Sequence, residues 1–343
     1  MFKRILLFLF IAAIVAGIFG YGKYNQVFSP NVPEELKQAY INIPTNASFE
    51  EIRDRLHNQG FLIDSTAFTW VAEQMSYKRT KMRSGRFKIE PGWSNRRLIQ
   101  HLRNGKQSPV KLVLTNERLP NEIAGKVARF IEADSLSVQR LITNEEYLSK
   151  HQLTPQTMIT AIVPNTYEFF WNTNAEQFFE RMIKERDKFW GKNNRIFKAQ
   201  KLNLSKEEIY TLASIVERET NSKAEKPRIA GVYYNRLQKG MLLQADPTVV
   251  FATGEFGLRR VLNRHLEFDS PYNTYQNLGL PPGPISMASI TSLDAVIDVE
   301  DHDYIFFCAK GDGSGTHAFA KTLSGHNRNA ARYRQNLKKR GLR

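Results

Sequence analysis

A glutamate on the apolar side of a predicted helix is the residue of this chain best placed to do chemistry. Residues 212–220 read LASIVERET and contain Glu217 and Glu219. At about 100° per residue, Glu219 shares a face with Leu212 and Val216, whereas Glu217 is predicted to point toward solvent. Burial and the C-terminal end of a helix both raise a carboxyl pKa, as a general acid requires. Periodicity alone favours the simpler interpretation, an amphipathic helix whose last turn carries charges without a catalytic function.

A polysaccharide hydrolase would need a second carboxylate. The candidates near Glu219 are Glu217 and Asp246, and the latter precedes Pro247, which favours a turn or capping function instead. Pairing with Asp246 to shape that loop is the simplest function for Arg236. Because sequence gives no distance between these groups, a one-acid and a two-acid mechanism both stay open here.

Other catalytic chemistries lack their motifs in this sequence. The 7 histidines include no H-E-x-x-H pair, and the single cysteine, Cys308, cannot build a thiolate metal site. A serine nucleophile would lack its G-x-S-x-G turn. The glycine-rich residues 311–315 lack the lysine of a phosphate-binding loop and predict a hairpin turn. We therefore predict no metal site and no cofactor.

The N-terminus predicts a membrane anchor. Lys3 and Arg4 precede an apolar run from Ile5 to Tyr21, close to the minimum length for a membrane-spanning helix. The positive-inside rule places the N-terminus in the cytoplasm and the rest of the chain outside. A cleavable signal peptide is the alternative, but no clear A-x-A site follows the run. We predict a retained anchor, with the folded part of the chain outside the cytoplasm.

The chain is strongly basic, with a net charge of +15 at pH 7. Such a surplus suits an anionic partner, which could be nucleic acid, lipid headgroups or an acidic envelope polymer. An extracytoplasmic location argues against nucleic acid, and no zinc-finger or RNA-binding motif supports it.

The elements that position these residues predict an α+β fold in several parts. Residues 1–22 are the transmembrane anchor, 23–38 a linker, and 39–114 a small module in which short strands alternate with helices. Residues 115–343 form a larger, mainly helical domain with a short β-sheet. Within it, Ser205 and Glu208 fit a capping box that opens the helix carrying Glu219. Cys308 is predicted to be a buried strand residue.

Several short motifs follow one another in order along the second half of the chain. They are LASIVERET (212–220), NRL (235–237), LQADPTV (243–249), YNTY (272–275), GLPPGPI (279–285) and HN (326–327). With the N-terminal anchor, they resemble the endolytic murein transglycosylase family, also called MltG or YceG-like, over nearly the whole chain. The resemblance implies that residues 39–114 are a LysM-like module and residues 115–343 a YceG-like catalytic domain.

The resemblance also implies a reaction. It implies cleavage of the β-1,4 bond between N-acetylmuramic acid and N-acetylglucosamine within glycan strands, leaving a 1,6-anhydromuramic end. Glu219 would be the single general acid and base, and the muramic C6 hydroxyl would attack C1, so no second acid is needed. By position in the matching motifs, the candidates for the substrate-binding cleft wall are Asn235, Gln244, Asp246, Tyr272, Asn273, Tyr275 and His317.

The implied partners are peptidoglycan glycan strands, peptidoglycan synthases and the inner membrane, but not nucleic acid. Two alternatives remain open. One is a non-catalytic peptidoglycan-binding anchor in which Glu219 is structural. The other is a muramidase that uses water and a second acid such as Asp246.

Overall fold

The computed structural model describes residues 2–258 and 260–342. Over these residues it is an α+β protein, with helices throughout and three separate two-stranded sheets. The predicted α+β class is therefore confirmed. The assignment of residues 39–114 to a LysM-like module stays a prediction.

The first helix, α1 (Phe2–Phe28), is apolar and buries none of its residues. Among the residues that the structure describes, it is the one helix long and apolar enough to cross a membrane. It continues past residue 22, into the segment predicted as a linker, and places the Lys23 ammonium 3.9 Å from the centre of the Trp70 ring. Asn31 and Val32 are buried within the same compact unit, so much of the expected linker is ordered. Asn31 donates a hydrogen bond to Asn95 at 2.6 Å, which satisfies the buried amide.

This first compact unit comprises residues 1–111, 130–133 and 168–174. Its further elements are β1 (Tyr40–Ile43), α2 (Phe49–Asn58), α3 (Ser65–Gln74), β2 (Gly85–Lys88) and α4 (Asn95–Asn104). The two strands are antiparallel, with Ile41 opposite Phe87, and both side chains lie in the core. Helix α4 is capped by Ser94, whose hydroxyl accepts from the Arg97 N–H. The Asn95 amide donates to the carbonyl of Gln26.

The second compact unit comprises residues 112–129, 134–167 and 175–343. Strand β3 (Val110–Leu114) pairs with β4 (Asn165–Phe169). The helices before α10 are α5 (Pro120–Val127), α6 (Ser135–Ile142), α7 (Glu145–Ser149), the short 3-10 helix Met158–Ala161, α8 (Ala175–Trp190) and α9 (Arg195–Lys201). From α10 onward the elements are α10 (Lys206–Glu219), α11 (Lys226–Gln238), α12 (Asp246–Thr253), α13 (Asn263–Leu266), α14 (Ile290–Ile297), β5 (Phe306–Ala309), β6 (His317–Ala320) and α15 (Leu323–Lys339).

Helix α10 is the centre of this second unit. Every residue from Ile209 to Val216 is buried, because α11 and α14 both pack against it. An amphipathic surface helix would bury one stripe only, so α10 is a core helix over most of its length. Its last turn emerges from this core, which places the residues after Val216 at the edge of the packed interior.

Strands β5 and β6 form an antiparallel hairpin in which Cys308 pairs with Ala318. Residues 311–315 connect the strands, as predicted from their glycines. Cys308 is only half-buried, so its predicted burial was wrong. The physical reason is that this sheet has just two strands and packs against α15, which leaves a two-stranded ribbon incompletely covered.

Candidate active site

Helix α10 presents Glu219 as its last residue. The helix begins with the predicted capping box, in which Ser205 accepts from the Glu208 N–H and the Glu208 carboxylate accepts from the Ser205 N–H. It ends where Thr220 turns to an extended conformation, with φ −150° and ψ 141°. The buried Ser214 hydroxyl accepts from the Ile285 N–H at 3.0 Å and thereby ties the helix to the loop before α14. The capping box and the Ser214 contact therefore hold the helix that carries Glu219 in place.

The Glu219 side chain is half-buried, and its carboxyl has one hydrogen-bond partner among the described residues. Tyr233, a buried residue of α11, donates its hydroxyl to Glu219 Oε1 at 2.6 Å. Desolvation by burial raises the pKa of Glu219 to about 7, the Asp246 charge acts in the same direction, and the Tyr233 hydrogen bond opposes it. A substantial fraction of Glu219 is therefore protonated near neutral pH, as a general acid requires.

Glu217, two residues earlier, has the opposite environment. Burial acts to raise its pKa, but hydrogen bonds from Lys226, Ser289 and Ser292 outweigh that effect, and the pKa falls below its usual value. Lys226 Nζ lies 2.8 Å from the Glu217 carboxylate. The prediction that Glu217 points to solvent was therefore wrong, because the N-terminal end of α14 covers this side of α10. Its contacts make Glu217 a structural ion pair.

Two cavities meet at Glu219 and Asp246, which line both of them. One cavity, of about 390 Å³, also contains Tyr233, Arg236, Leu243, Gln244, Tyr275, Phe306, Phe307, Leu323 and His326. The other, of about 310 Å³, also contains Arg118, Arg218, Pro247, Val250, Phe251, Phe256, Leu258, Arg260, Val261 and Ile285. We call the two together the Glu219 cleft. Its volume and its mixture of aromatic, aliphatic and polar groups suit an extended polar ligand.

The loop that carries Gln244 and Asp246 is held from beneath by buried hydroxyls. Thr274 accepts from the Ala245 N–H at 3.0 Å and bonds the Thr248 hydroxyl at 2.8 Å. Gln244 has a φ of 51°, in the left-handed region that a non-glycine residue adopts only at a cost. Strained backbone of this kind clusters at ligand-binding sites, where the surrounding structure enforces it.

Three of the predicted cleft residues lie beside Glu219. Gln244 and Asp246 expose their side chains in the cleft, and Tyr275 also lines it. Tyr275 donates its hydroxyl to Asp246 Oδ1 at 2.6 Å, which fixes the orientation of that carboxylate. These three residues come from two different loops, so only the tertiary fold brings them to Glu219.

Among the residues that the structure describes, the other four candidates lie outside the lining of the Glu219 cleft. Asn235 donates to the carbonyls of His302 at 2.6 Å and Tyr304 at 3.1 Å. Asn273 is fully buried and donates to two backbone carbonyls. Both amides therefore hold loops in place in this structure.

Tyr272 and His317 support the cleft from behind. The Tyr272 ring packs on the lining residue Phe251, with ring centres 4.7 Å apart. The His317 ring meets the lining residue Phe307 edge-on, and its Nδ1 lies 3.0 Å from the Glu225 carboxylate. A direct contact of these two residues with substrate stays a prediction.

The contact between Tyr233 and Glu219 was not predicted from sequence, and the partner predicted for Arg236 was wrong. Arg236 donates to the carbonyls of Leu243 and Ile305 and to Gln244 Oε1, and it forms no ion pair with Asp246 in the described part of the chain. The expected pairing of Arg236 with Asp246 was therefore wrong, because backbone carbonyls compete for the guanidinium once the loop folds over it. Nothing local in the sequence marks Tyr233 as the partner of Glu219, since the two lie on different helices.

Several known proteins are similar to this chain over most of its length. Residues 41–332 match the model of the YceG-like family. An endolytic murein transglycosylase of Bacillus subtilis strain 168 is 31% identical over 93% of this chain and 91% of its own length. One from Streptococcus pneumoniae serotype 2 is 26% identical over 94% of this chain, which spans 64% of that relative. A crystal structure of a YceG-like protein from Listeria monocytogenes, 28% identical, superposes with a TM-score of 0.58 over 84% of this chain and 97% of its own.

Proposed function

The chain belongs to the YceG-like family, and on that premise we propose that it is a lytic transglycosylase that cleaves peptidoglycan. The support is twofold. Relatives that align with nearly the whole chain are named endolytic murein transglycosylases. The site adds an acid whose pKa is raised to about 7 and which lies in a cleft of suitable size. The bond cleaved is the β-1,4 bond between N-acetylmuramic acid and N-acetylglucosamine.

Glu219 performs both proton transfers of the proposed reaction. Its protonated carboxyl donates to the glycosidic oxygen as the C1–O4 bond breaks. The resulting carboxylate then takes the proton of the muramic C6 hydroxyl, and O6 forms the new bond to C1. The product is a 1,6-anhydromuramic end, and Glu219 returns to its protonated form. Since the nucleophile is part of the substrate, neither water nor a second acid is consumed.

The hydrogen bond from Tyr233 assigns different functions to the two oxygens of Glu219. Because Tyr233 donates to Oε1, the acidic proton of Glu219 belongs on Oε2. Oε2 has no protein partner among the described residues, so it is the oxygen that faces the substrate. When Glu219 is ionised, the same tyrosine stabilises its negative charge. This hydrogen bond keeps the pKa of Glu219 from rising well above neutral pH. Tyr233 is therefore a positioning residue.

The sugars on either side of the scissile bond occupy the Glu219 cleft. Gln244, whose amide is exposed there, and the Tyr275–Asp246 pair are placed to hydrogen-bond sugar hydroxyls. Helix α1 anchors the protein in the inner membrane with its N-terminus in the cytoplasm, so that the cleft faces the periplasm. Peptidoglycan synthases, which make the glycan strands, are the proposed protein partners.

The observation that carries the proposal is the raised pKa of Glu219 in a cleft large enough for sugars. It is tested by incubating the detergent-solubilised full-length protein with purified sacculi and analysing the released fragments by mass spectrometry. We expect anhydromuramic ends, which are one water lighter than hydrolysed ends, and their loss by at least a hundredfold in Glu219→Gln. The matched control is Glu208→Gln on the same helix, since glutamine also completes a capping box. Unchanged release by Glu219→Gln would reject Glu219 as the acid.

A muramidase is the second candidate, favoured by one observation. The Asp246 carboxylate is exposed in the same cleft, and its charge acts on Glu219. As a general base it could activate a water, and the product would then be a hydrolysed reducing end. Products of hydrolysed mass that disappear in Asp246→Asn would establish this alternative. Binding of the unmodified protein to sacculi without any released fragment would instead indicate a non-catalytic anchor.

A further inference from the structure

A third cavity, of about 580 Å³, continues the Glu219 cleft. It shares Arg118, Arg218 and Phe256 with the cleft, so the two spaces are contiguous. Its remaining lining consists of Asn116, Glu117, Asn121, Glu122, Gly125, Lys126 and Arg129. We call this third cavity the basic extension, because its cationic side chains outnumber its carboxylates.

The two carboxylates of the basic extension are already engaged. Glu117 forms a close ion pair with Lys126. Glu122 accepts the backbone N–H groups of Arg118 and Leu119 at the start of α5. In the described part of the chain, no carboxylate lies within 4.0 Å of the Arg118 or Arg218 guanidinium. The positive charge of both arginines is therefore not neutralised by an ion pair within this chain.

The two guanidiniums are held in place rather than free. Arg218 donates through Nε to the Ser286 hydroxyl and through Nη2 to the Asn116 carbonyl, both at 3.1 Å. The Arg118 guanidinium lies over the Phe256 ring, 4.6 Å from its centre. Burial and the nearby charge of Arg118 lower the pKa of Arg218, and they outweigh the opposite effect of the Glu217 and Glu122 charges. Two like charges are thus held close together at a half-buried site, an arrangement that a bound anion would stabilise.

Taking the proposed function as its premise, we propose that Arg118 and Arg218 bind a carboxylate of the peptide stem carried by the muramic acid next to Glu219. Guanidiniums bind carboxylates through paired N–H···O hydrogen bonds and stay charged at any physiological pH. Arg218 directly precedes Glu219 in the chain, so a group bound there lies beside the reacting sugar. Peptide stems are the carboxylate-bearing groups attached to muramic acid, and the basic extension offers the space for one. The enzyme would therefore prefer strands that still carry acidic stems.

A phosphate could bind the same two arginines, so the experiment must distinguish a phosphate from a stem carboxylate. The full-length protein in detergent is given uncrosslinked peptidoglycan strands and the same strands with their carboxylates converted to methylamides. This treatment keeps the stems but removes their negative charge. For the unmodified protein we expect kcat/KM to fall about tenfold on the methylamide strands, mainly through KM, as one lost charge-assisted contact predicts.

The variants assign the effect to the arginines. Arg118→Gln should lose about tenfold in kcat/KM on strands with free carboxylates and little on methylamide strands, because the contact is already absent there. Arg140→Gln makes the same charge change on the exposed surface of α6 and should discriminate between the substrates as the unmodified protein does. Arg118→Lys keeps the charge and should recover part of the preference for strands with free carboxylates over methylamide strands.

Three results overturn the inference. Equal kcat/KM of the unmodified protein on both substrates would exclude recognition of stem carboxylates, while release of anhydro products would leave the proposed function standing. An equal loss by Arg118→Gln on both substrates would assign the arginine to a phosphate or to the fold. Absence of anhydro products from either substrate would reject the proposed function, and this inference with it.

Discussion

Replacing Glu219 by glutamine should make the protein more stable at pH 8, although it abolishes the proposed activity. The reason is that the ionised carboxyl is poorly solvated where the fold places it. A carboxyl whose pKa is raised from 4.5 to about 7 favours the unfolded state once the unfolded carboxyl ionises. Glutamine has nearly the same shape, can accept the Tyr233 hydrogen bond and carries no charge to desolvate.

The size and the sign of this change in unfolding free energy follow from the pKa of Glu219. Between pH 4.5 and pH 7 the unfolded chain has released a proton that the folded chain still holds, so stability falls as pH rises through this window. Above pH 7 both states are ionised and the penalty is constant. At 1.36 kcal/mol per pKa unit the full penalty is about 3 kcal/mol. Partial access of water to the cleft reduces it, so we expect Glu219→Gln to gain about 2 to 3 kcal/mol at pH 8.

The assay is urea unfolding of the full-length protein in detergent at pH 4.5 and pH 8, followed by circular dichroism. The matched control is Glu217→Gln, which makes the same chemical change two residues away. Because its ion pair and hydroxyl partners lower the pKa of Glu217, this carboxylate stabilises the fold above its unfolded pKa and loses that contribution as pH falls. Glu217→Gln should therefore lose about 1 to 3 kcal/mol at pH 8 and less at pH 4.5.

The two substitutions should thus move stability in opposite directions at pH 8. If Glu219→Gln is no more stable than the unmodified protein at pH 8, the carboxylate is not desolvated and the proposed acid loses its physical basis. A gain of equal size at both pH values would also refute the reasoning, since the effect would then not come from ionisation.

Three further outcomes are expected. In Tyr233→Phe, loss of the hydrogen bond to ionised Glu219 should move the descending limb of the kcat/KM profile about 1 to 2 pH units higher and lower its maximum. Thr274→Val leaves the buried Ala245 N–H unpaired and should cost about 1 to 3 kcal/mol of unfolding free energy, measured in urea. Ile14→Arg in the apolar α1 should shift the protein from the membrane to the soluble fraction after ultracentrifugation.

Each of these outcomes has a result that contradicts it. A descending limb that stays in place in Tyr233→Phe would mean that the tyrosine does not set the pKa of Glu219. Thr274→Ser, which keeps the hydroxyl, should restore stability, and its failure would point to packing instead. Membrane retention of Ile14→Arg would indicate that another part of the chain binds the bilayer.

Local structure and the apolar environment of the acid Glu219 could be predicted from sequence. The capping box at Ser205 and the apolar N-terminal helix each depend on neighbours within a few residues. Helical periodicity also placed Glu219 on the apolar face, and the pKa direction expected from burial is the one that the structure gives. These features are local, so a single chain segment contains the information for them.

The partners of that acid were decided by the tertiary structure alone. Tyr233 reaches Glu219 from a second helix, while Lys226 and α14 convert Glu217 from an expected surface charge into a half-buried ion pair. Arg236 likewise donates to backbone carbonyls instead of pairing with Asp246, because the loop that folds over it brings those carbonyls close. Two glutamates separated by one residue thus acquire opposite pKa shifts, because desolvation and hydrogen bonding are set by elements distant in sequence that pack around them.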